Sequence, residues 1–230
     1  MFYITGDTHR DFRKVAAFCD TTETTIEDIL IILGDAGINY FGKPKDDVLK
    51  QQLSELPITL LCVYGNHEQR PTRFPTYEET EWRGGVVYKE AEFPTLLFAK
   101  DGEIYELDGK RCIIIGGANS VDKSLRIKND WGWWPDEQPS PEIKSYVEQR
   151  LEKENWSVDM VFSHTCPMKY LPREVFLAGI NPSDEDYSTE EWLDIIEDKL
   201  NYSLWFCGHY HTYKVIDKMR FLFNDYLVIR

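Results

Sequence analysis

Short apolar runs alternate with amphipathic stretches near the start of the chain. Residues 2–4, 29–33 and 58–64 are rich in β-branched and aromatic side chains and have the length of strands. Residues 12–19 and 48–53 repeat apolar side chains at the spacing of helices. Because the run 29–33 is apolar throughout, it predicts a strand that is covered on both faces. The order predicts an α/β sheet whose ligand sites lie beyond the carboxyl ends of its strands.

The pattern changes between residues 86 and 117, where short β-prone segments are separated by turns. Asp-Gly pairs at 101–102 and 108–109 are typical of hairpin turns, and we expect a hairpin at each of them. The predicted strands of this region cover residues 86–88, 95–99, 104–107 and 111–115.

The second half of the chain predicts two more helices, over 142–154 and 189–200, and strands over 160–162 and 204–207. Two further strands close the chain, and we interpret them as a hairpin over 219–223 and 226–229. We find no internal repeat and no linker, so the full length, residues 1–230, is interpreted as a single domain.

Composition and charge narrow the class of protein. The 26 basic and 40 acidic residues give a net charge of -14, which disfavours a long nucleic acid as partner. Apolar runs stay far below the roughly 20 residues of a membrane span, so we expect no membrane insertion. The five cysteines are scattered, and the chain enters its first strand directly after Met1. We therefore expect buried, reduced thiols and a cytoplasmic location.

Every histidine of the chain lies in a turn directly after a predicted apolar strand, beside other residues that bind metals. A single histidine or Gly-Asp pair in such a turn usually has a structural role, but this joint pattern favours a common cleft. A glycine before the polar residue is expected to permit a sharp turn. Two aspartates, one asparagine and four histidines form a ligand set suited to borderline divalent cations. The turns are Gly6-Asp7-Thr8-His9, Gly34-Asp35, Gly65-Asn66-His67-Glu68, Ser163-His164 and Gly208-His209-Tyr210-His211.

These turns follow the order D-x-H, G-D, G-N-H-[DE], H and G-H-x-H, and in this they resemble the calcineurin-like metallophosphoesterases. The resemblance covers most of the chain, from Asp7 to His211. It implies an α/β fold, a four-layer αββα sandwich of two mixed β-sheets flanked by helices, with a dinuclear metal site at the carboxyl ends of the strands. The implied ligands are Asp7, His9 and His211 for one ion, Asn66, His164 and His209 for the other, and Asp35 bridging both.

The resemblance also implies the reaction, the hydrolysis of a phosphate ester by a hydroxide that bridges two divalent metal ions. Such a pair of ions clamps the phosphate and lowers the pKa of the water. We expect manganese, with iron, zinc or nickel as alternatives. His67 matches the catalytic histidine of the family and would protonate the leaving oxygen or stabilise the phosphoryl group. Its alternative role is to orient a ligand.

The chain departs from the family pattern at two positions. Arg10 stands where glycine is common after D-x-H, and it either faces the substrate phosphate or is solvated. Ile38 replaces the aspartate that orients the catalytic histidine of phosphoprotein phosphatases. This second departure disfavours a protein phosphatase and leaves the support of His67 open.

Residues 119–141 are the expected source of substrate specificity, as an insertion that forms a lid. Trp131, Trp133 and Trp134 either stack on a base or aryl group or form a small core under the loop. Lys123 and Arg126 are candidate phosphate contacts.

Tyr40 and Tyr210 adjoin ligand turns and are candidates to reach the leaving group. The expected activity is that of a phosphodiesterase or phosphomonoesterase on a small or nucleotide-like substrate. The alternatives are a phosphoprotein phosphatase, a nuclease or, least favoured, a scaffold of the same fold without catalysis. The natural substrate and the oligomeric state stay open at this stage.

Overall fold

Strands of three to six residues form the centre of the protein. The computed structural model describes residues 1–176 and 185–229. Its strands are β1 (Phe2–Thr5), β2 (Ile29–Ile32), β3 (Thr59–Cys62), β4 (Tyr77–Trp82), β5 (Gly85–Glu90), β6 (Leu96–Ala99), β7 (Ile104–Leu107), β8 (Lys110–Ile115), β9 (Met160–Ser163), β10 (Leu204–Cys207), β11 (Lys214–Ile216), β12 (Met219–Phe221) and β13 (Leu227–Ile229). Its α-helices are α1 (Arg13–Thr22), α2 (Lys45–Ser54), α3 (Lys123–Lys128), α4 (Pro141–Lys153) and α5 (Ser188–Lys199).

The strands pair into two mixed sheets. The first sheet has the order β13-β1-β2-β3-β6-β5-β4, and the second has the order β11-β12-β10-β9-β8-β7. In the first, β1, β2, β3 and β6 are parallel neighbours, with antiparallel strands at both edges. In the second, β8, β9, β10 and β12 are parallel and the two edge strands are antiparallel.

The protein has four layers: two sheets face to face, with helices on the outer face of each. Because successive residues of a strand point to opposite faces, each sheet packs against the other sheet on one face and against helices on the other. Ile29 and Ile31 of β2 join the core between the two sheets, whereas Leu30 and Ile32 join a second core with α1 and α2. On the second sheet, Ile114 faces the first sheet and its neighbours pack against α4 and α5. The expected αββα sandwich is confirmed.

Two of the three predicted hairpins do not form. Asp101 and Gly102 connect β6 of the first sheet to β7 of the second, and the Asp101 carboxylate accepts hydrogen bonds from Gly116 N (2.6 Å) and Arg70 (2.7 Å). The closing strands also separate: β12 lies in the second sheet, whereas β13 pairs with β1. Asp108-Gly109 does form a two-residue hairpin turn between β7 and β8, with φ of 51° and 71°.

Three elements escaped the sequence pattern, and the shortest of them is the three-residue strand β11. Strand β4 is a polar edge strand in which Glu78, Glu79 and Glu81 leave no apolar alternation to detect. Helix α3 has only six residues, too few for a helical period to be visible.

All five cysteines are buried and unpaired, as expected. Among the described residues, no helix is both long and apolar enough to span a membrane.

Candidate metal centre

The carboxyl ends of five strands meet at one edge of the sandwich. Strands β1, β2 and β3 lead there from the first sheet, and β9 and β10 lead there from the second. Parallel pairing places the residues that follow each strand side by side. The structure thus brings together all seven residues that the sequence proposes as ligands. We refer to them as the donor cluster: Asp7, His9, Asp35, Asn66, His164, His209 and His211.

One group of donors surrounds the end of β1. The Nε2 atoms of His9 and His211 lie 2.8 Å apart. Asp7 Oδ2 lies 3.2 Å from His211 Nε2 and 3.7 Å from His9 Nε2. Asp35 Oδ2 is 3.9 Å from His9 Nε2 and completes the group.

A second group surrounds His164. Its Nε2 atom lies 2.8 Å from Asn66 Oδ1 and 3.5 Å from Asp35 Oδ1, so Asp35 turns one oxygen toward each group. The ring of His209 contacts that of His164 edge to face, with 4.9 Å between the ring centres.

The hydrogen bonds behind these donors make a cation a good fit. His164 Nδ1 donates to the carbonyl oxygen of Leu33 (2.7 Å), which leaves a lone pair on Nε2 in the neutral ring. Asn66 Nδ2 donates to Ser120 Oγ (2.9 Å), which turns the amide oxygen inward. Asn66 Oδ1 and Asp35 Oδ1 therefore both face His164 Nε2, which carries a proton when the ring is charged and a lone pair when it is neutral. A divalent cation would take the place of that proton and be coordinated by all three side chains.

Electrostatics keeps the buried carboxylates of the cluster ionised. Burial alone raises the pKa of Asp7 and Asp35, but neighbouring histidines outweigh it and hold both pKa values below the usual range. Burial lowers the pKa of His164, whereas Asp35 and Asp7 raise it to about 9. The pKa of His209 falls to about 3 because the ring is buried and lies beside His164.

Four donors have left-handed backbone conformations, with φ of 45° at His9, 50° at Asp35, 66° at His209 and 49° at His211. Each such residue costs about 1–2 kcal/mol. Hydrogen bonds between the turns hold them in place: His9 N donates to Asp35 O (2.8 Å) and His209 N donates to Asp7 Oδ1 (2.9 Å). Strain of this kind is typical of functional sites.

The glycines of the turns act differently from the sequence expectation. Only Gly34 has a positive φ (97°). A Cβ atom on Gly65 would lie 2.1 Å from Asp35, and one on Gly208 would lie 2.3 Å from Asp7 Oδ1. Gly65 makes room for Asp35, which follows the neighbouring strand β2, and Gly208 makes room for Asp7, which follows β1 of the other sheet. This is a steric role and not one of turn formation.

Arg126 supports His67 from outside the donor cluster. One terminal nitrogen of Arg126 lies 2.5 Å from His67 Nδ1, and the guanidinium is held by Asp122 (2.7 Å) and the carbonyl of Gly132 (2.9 Å). Burial lowers the pKa of His67. The negative charge of Asp35 raises this pKa, and the positive charge of Arg126 lowers it. Ile38, which replaces the family's orienting aspartate, is fully buried in the core beneath α1 and α2.

Arg10 and Tyr40 lie outside the space above the donor cluster. Arg10 binds Asp46 (2.7 Å) and the carbonyl of Gly37 (2.5 Å). The hydroxyl of Tyr40 accepts a hydrogen bond from Gly132 N (3.1 Å).

The tryptophans of residues 119–141 also point elsewhere. Lys123 lies over the ring of Trp133 at 4.4 Å, and Trp134 meets Tyr40 edge to face at 5.4 Å. Trp131 is exposed. Val121 and Asp122 of the same segment do reach the cavity beside the metal site.

A cavity of about 390 Å³ opens over the donor cluster and His67. Its other side is what we term the apolar wall: Val121, Val175, Phe176, Tyr187 and Tyr210. The carboxylates of Asp122 and Glu185 also line it. Of the wall residues, only Tyr210 was singled out from the sequence, because the others lie outside any recognisable motif.

Sequence reasoning also missed the groups that orient Asn66. Ser120 Oγ accepts from Asn66 and donates to Glu137 Oε2 (2.5 Å), and both Ser120 and Glu137 are buried. Ser120 and Asn66 are 54 positions apart, so no local signal joins them.

Three solved structures are similar to this chain. Protein TT1561 of Thermus thermophilus is 14% identical, with 90% of this chain and 80% of that one covered and a TM-score of 0.49. A second solved structure is 13% identical, with 96% and 88% covered and a TM-score of 0.52. The protein of unknown function AQ665 from Aquifex aeolicus is 17% identical, with 72% and 80% covered and a TM-score of 0.36.

No curated protein sequence matches the chain significantly. The family model described as calcineurin-like phosphoesterase matches residues 1–213. This match spans nearly the whole chain and every turn of the donor cluster. The chain belongs to the calcineurin-like phosphoesterase family.

Proposed function

We propose that this protein hydrolyses phosphodiesters with two divalent metal ions, manganese being the expected metal. Its family supports metal-dependent hydrolysis of phosphate esters in general. The observation that carries the proposal is the donor cluster, in which Asn66 Oδ1 and Asp35 Oδ1 lie within 3.5 Å of His164 Nε2.

Asp7, His9 and His211 would hold one ion, Asn66, His164 and His209 the other, and Asp35 would touch both. When bound, the ions supply charge neutralisation at the phosphate and activation of the attacking water. His67 lines the cavity beside the cluster. Because Arg126 donates to its Nδ1, the proton of the neutral ring would lie on Nε2 and would be donated to the leaving oxygen or to the phosphoryl group. Arg126 holds the imidazole in place and adds positive charge next to it.

The charge of the cavity favours diesters over monoesters. Among the described residues that line it, none is lysine or arginine; Glu185 adds negative charge, whereas Asp122 is paired with Arg126 at 2.7 Å. Arg10 and Lys123, the other candidate phosphate contacts, are engaged with Asp46 and Trp133. A diester carries one negative charge less than a monoester dianion and therefore suits this cavity better.

The proposal is tested by loading the chelated protein with manganese and comparing bis-p-nitrophenyl phosphate with p-nitrophenyl phosphate. We expect the diester to have the higher kcat/KM and both activities to be lost with EDTA. Failure to hydrolyse either ester with manganese, iron, zinc or nickel bound would overturn the proposal. Hydrolysis of the monoester alone would assign the site to phosphomonoesters.

The proposed location is the cytoplasm. All five cysteines are buried and unpaired. Unpaired thiols throughout a chain are typical of reducing compartments.

A further inference from the structure

The apolar wall presents aromatic rings to the space beside the donor cluster. The rings of Phe176 and Tyr210 are nearly parallel, at 9° with 6.3 Å between their centres. Val121 and Val175 add aliphatic surface and are partly exposed. The volume of about 390 Å³ lies within the range of small-molecule sites.

Tyr210 contributes its ring and not its hydroxyl, because the hydroxyl is engaged behind the wall. Thr165 Oγ1 donates its one proton to Glu190 Oε1 (2.6 Å) and therefore accepts from Tyr210, whose hydroxyl oxygen lies 2.7 Å away. Both Thr165 and Glu190 are buried. The anchoring holds the Tyr210 ring in one orientation against Phe221, at 5.8 Å between ring centres.

Two carboxylates give the cavity a negative side. Asp122 is oriented by Arg126, and Glu185 accepts a hydrogen bond from Asn119 (2.8 Å). Both residues line the cavity together with the apolar wall. An anionic group beside them would be repelled, whereas an uncharged ring keeps its contact with the wall.

We propose that this cavity binds one arm of the substrate and selects phosphodiesters in which that arm is flat, aromatic and free of negative charge, as in an aryl group or a nucleobase. The proposal rests on the proposed function and names its substrate class. Stacking on aromatic side chains and burial of apolar area supply the preference. The discrimination against anionic arms is assigned to the charge of Glu185, because the Asp122 carboxylate is paired with Arg126 at 2.7 Å.

The experiment measures binding of phosphinates, whose phosphorus–carbon bonds resist hydrolysis, so it does not depend on turnover. Calorimetry with the manganese-loaded protein compares diphenylphosphinate with dimethylphosphinate, dicyclohexylphosphinate and bis(4-carboxyphenyl)phosphinate. We expect diphenylphosphinate to bind about tenfold or more tightly than the dimethyl compound. It should also bind more tightly than the dicyclohexyl and carboxylated compounds.

Two variants locate the effect. Phe176→Ala should remove most of the phenyl preference, whereas Phe41→Ala, an exposed phenylalanine outside the cavity, should keep it. Glu185→Gln should narrow the gap between the phenyl and carboxyphenyl compounds. The matched control Glu174→Gln alters an exposed carboxylate that pairs with Lys214 and should leave that gap unchanged.

The outcomes separate the two proposals. Equal binding of the phenyl and methyl compounds would overturn the aromatic site even if diesters are hydrolysed. Equal binding of phenyl and cyclohexyl compounds would overturn the requirement for a flat ring. Tight, Phe176-dependent phenyl binding without hydrolysis of any diester would support the cavity assignment and overturn the proposed reaction.

Discussion

The donor cluster and the apolar wall face the same cavity but are built from different kinds of structure. Asp7, Asp35 and His164 are at most 4% exposed, and they follow strands that are locked by pairing on both sides. Val121 and Val175 are 43% and 36% exposed and belong to connecting segments. The residues proposed for the chemistry thus directly follow paired strands, whereas Val121 and Val175, which are proposed to contact the substrate, lie in segments between the main elements.

The largest effect is expected at the residue shared by both donor groups. Asp35→Asn removes the charge that faces His9 and His164, so kcat/KM for a diester should fall by about a thousandfold or more. Metal content after dialysis should fall with it. Asp11→Asn, at an exposed carboxylate paired with Arg13, is the control and should change neither. Full metal content and activity in Asp35→Asn would contradict the shared role.

Removing His67 should separate chemistry from metal binding. His67→Ala is expected to keep both ions and to lower kcat by about a hundredfold to a thousandfold, because the proton donor is lost. Arg126→Gln should lower kcat by about tenfold, since the imidazole loses its support. Single-turnover rates and elemental analysis measure the two quantities. Unchanged kcat in His67→Ala would limit that residue to orienting a ligand.

The steric role of Gly65 gives the next effect. In Gly65→Ala the methyl group would lie 2.1 Å from Asp35 Oδ1, so metal affinity should fall by about tenfold to a hundredfold as that carboxylate moves. Gly109→Ala is the control, because its Cβ has no neighbour within 4 Å although φ is 71°. It should cost about 1 kcal/mol of stability and leave metal affinity intact. Equal metal affinity in both variants would rule out the steric role.

The anchor behind the apolar wall predicts a pH dependence of stability. Burial raises the pKa of Glu190 to about 7, against the hydrogen bond from Thr165. A raised carboxyl pKa means that the folded state holds the proton more tightly than the unfolded state does. The resulting contribution to the free energy of unfolding is full at pH below about 4.5 and is lost as pH rises through about 7.

Glu190→Gln should remove this dependence. The free energy of unfolding of the wild type should fall by about 2 kcal/mol relative to the variant between pH 5 and pH 8. Urea denaturation at several pH values measures the difference. Parallel curves for the two proteins would contradict the raised pKa.

The smallest effect is expected at Trp131, which is 53% exposed and lies outside the cavity. Trp131→Ala should change kcat/KM for aryl diesters by less than about twofold, as is usual for exposed positions. Val121→Ala, in the same segment but part of the apolar wall, should lower it more. A tenfold loss in Trp131→Ala would instead make this tryptophan part of a lid.

The elements that could be predicted are those whose signal is local. The unbroken apolar run of β2 predicts burial on both faces of the strand. Asp108-Gly109 predicts a hairpin, because two residues are enough to form the turn. Asp101-Gly102 has the same letters but connects two sheets, and only contacts with Arg70 and Gly116 distinguish it. Likewise, β12 and β13 are close in sequence and pair with strands in different sheets.

By itself, the sequence determined the candidate donors, their order and their position after strands, because each turn carries its ligand types within a few neighbouring residues. Only the tertiary structure decided what orients and surrounds them. Arg126 reaches His67 across 59 positions, and Ser120 reaches Asn66 across 54. The apolar wall joins segments around residues 121, 175 and 210. Such contacts depend on how two sheets and their loops pack, and no spacing along the chain encodes that distance in space.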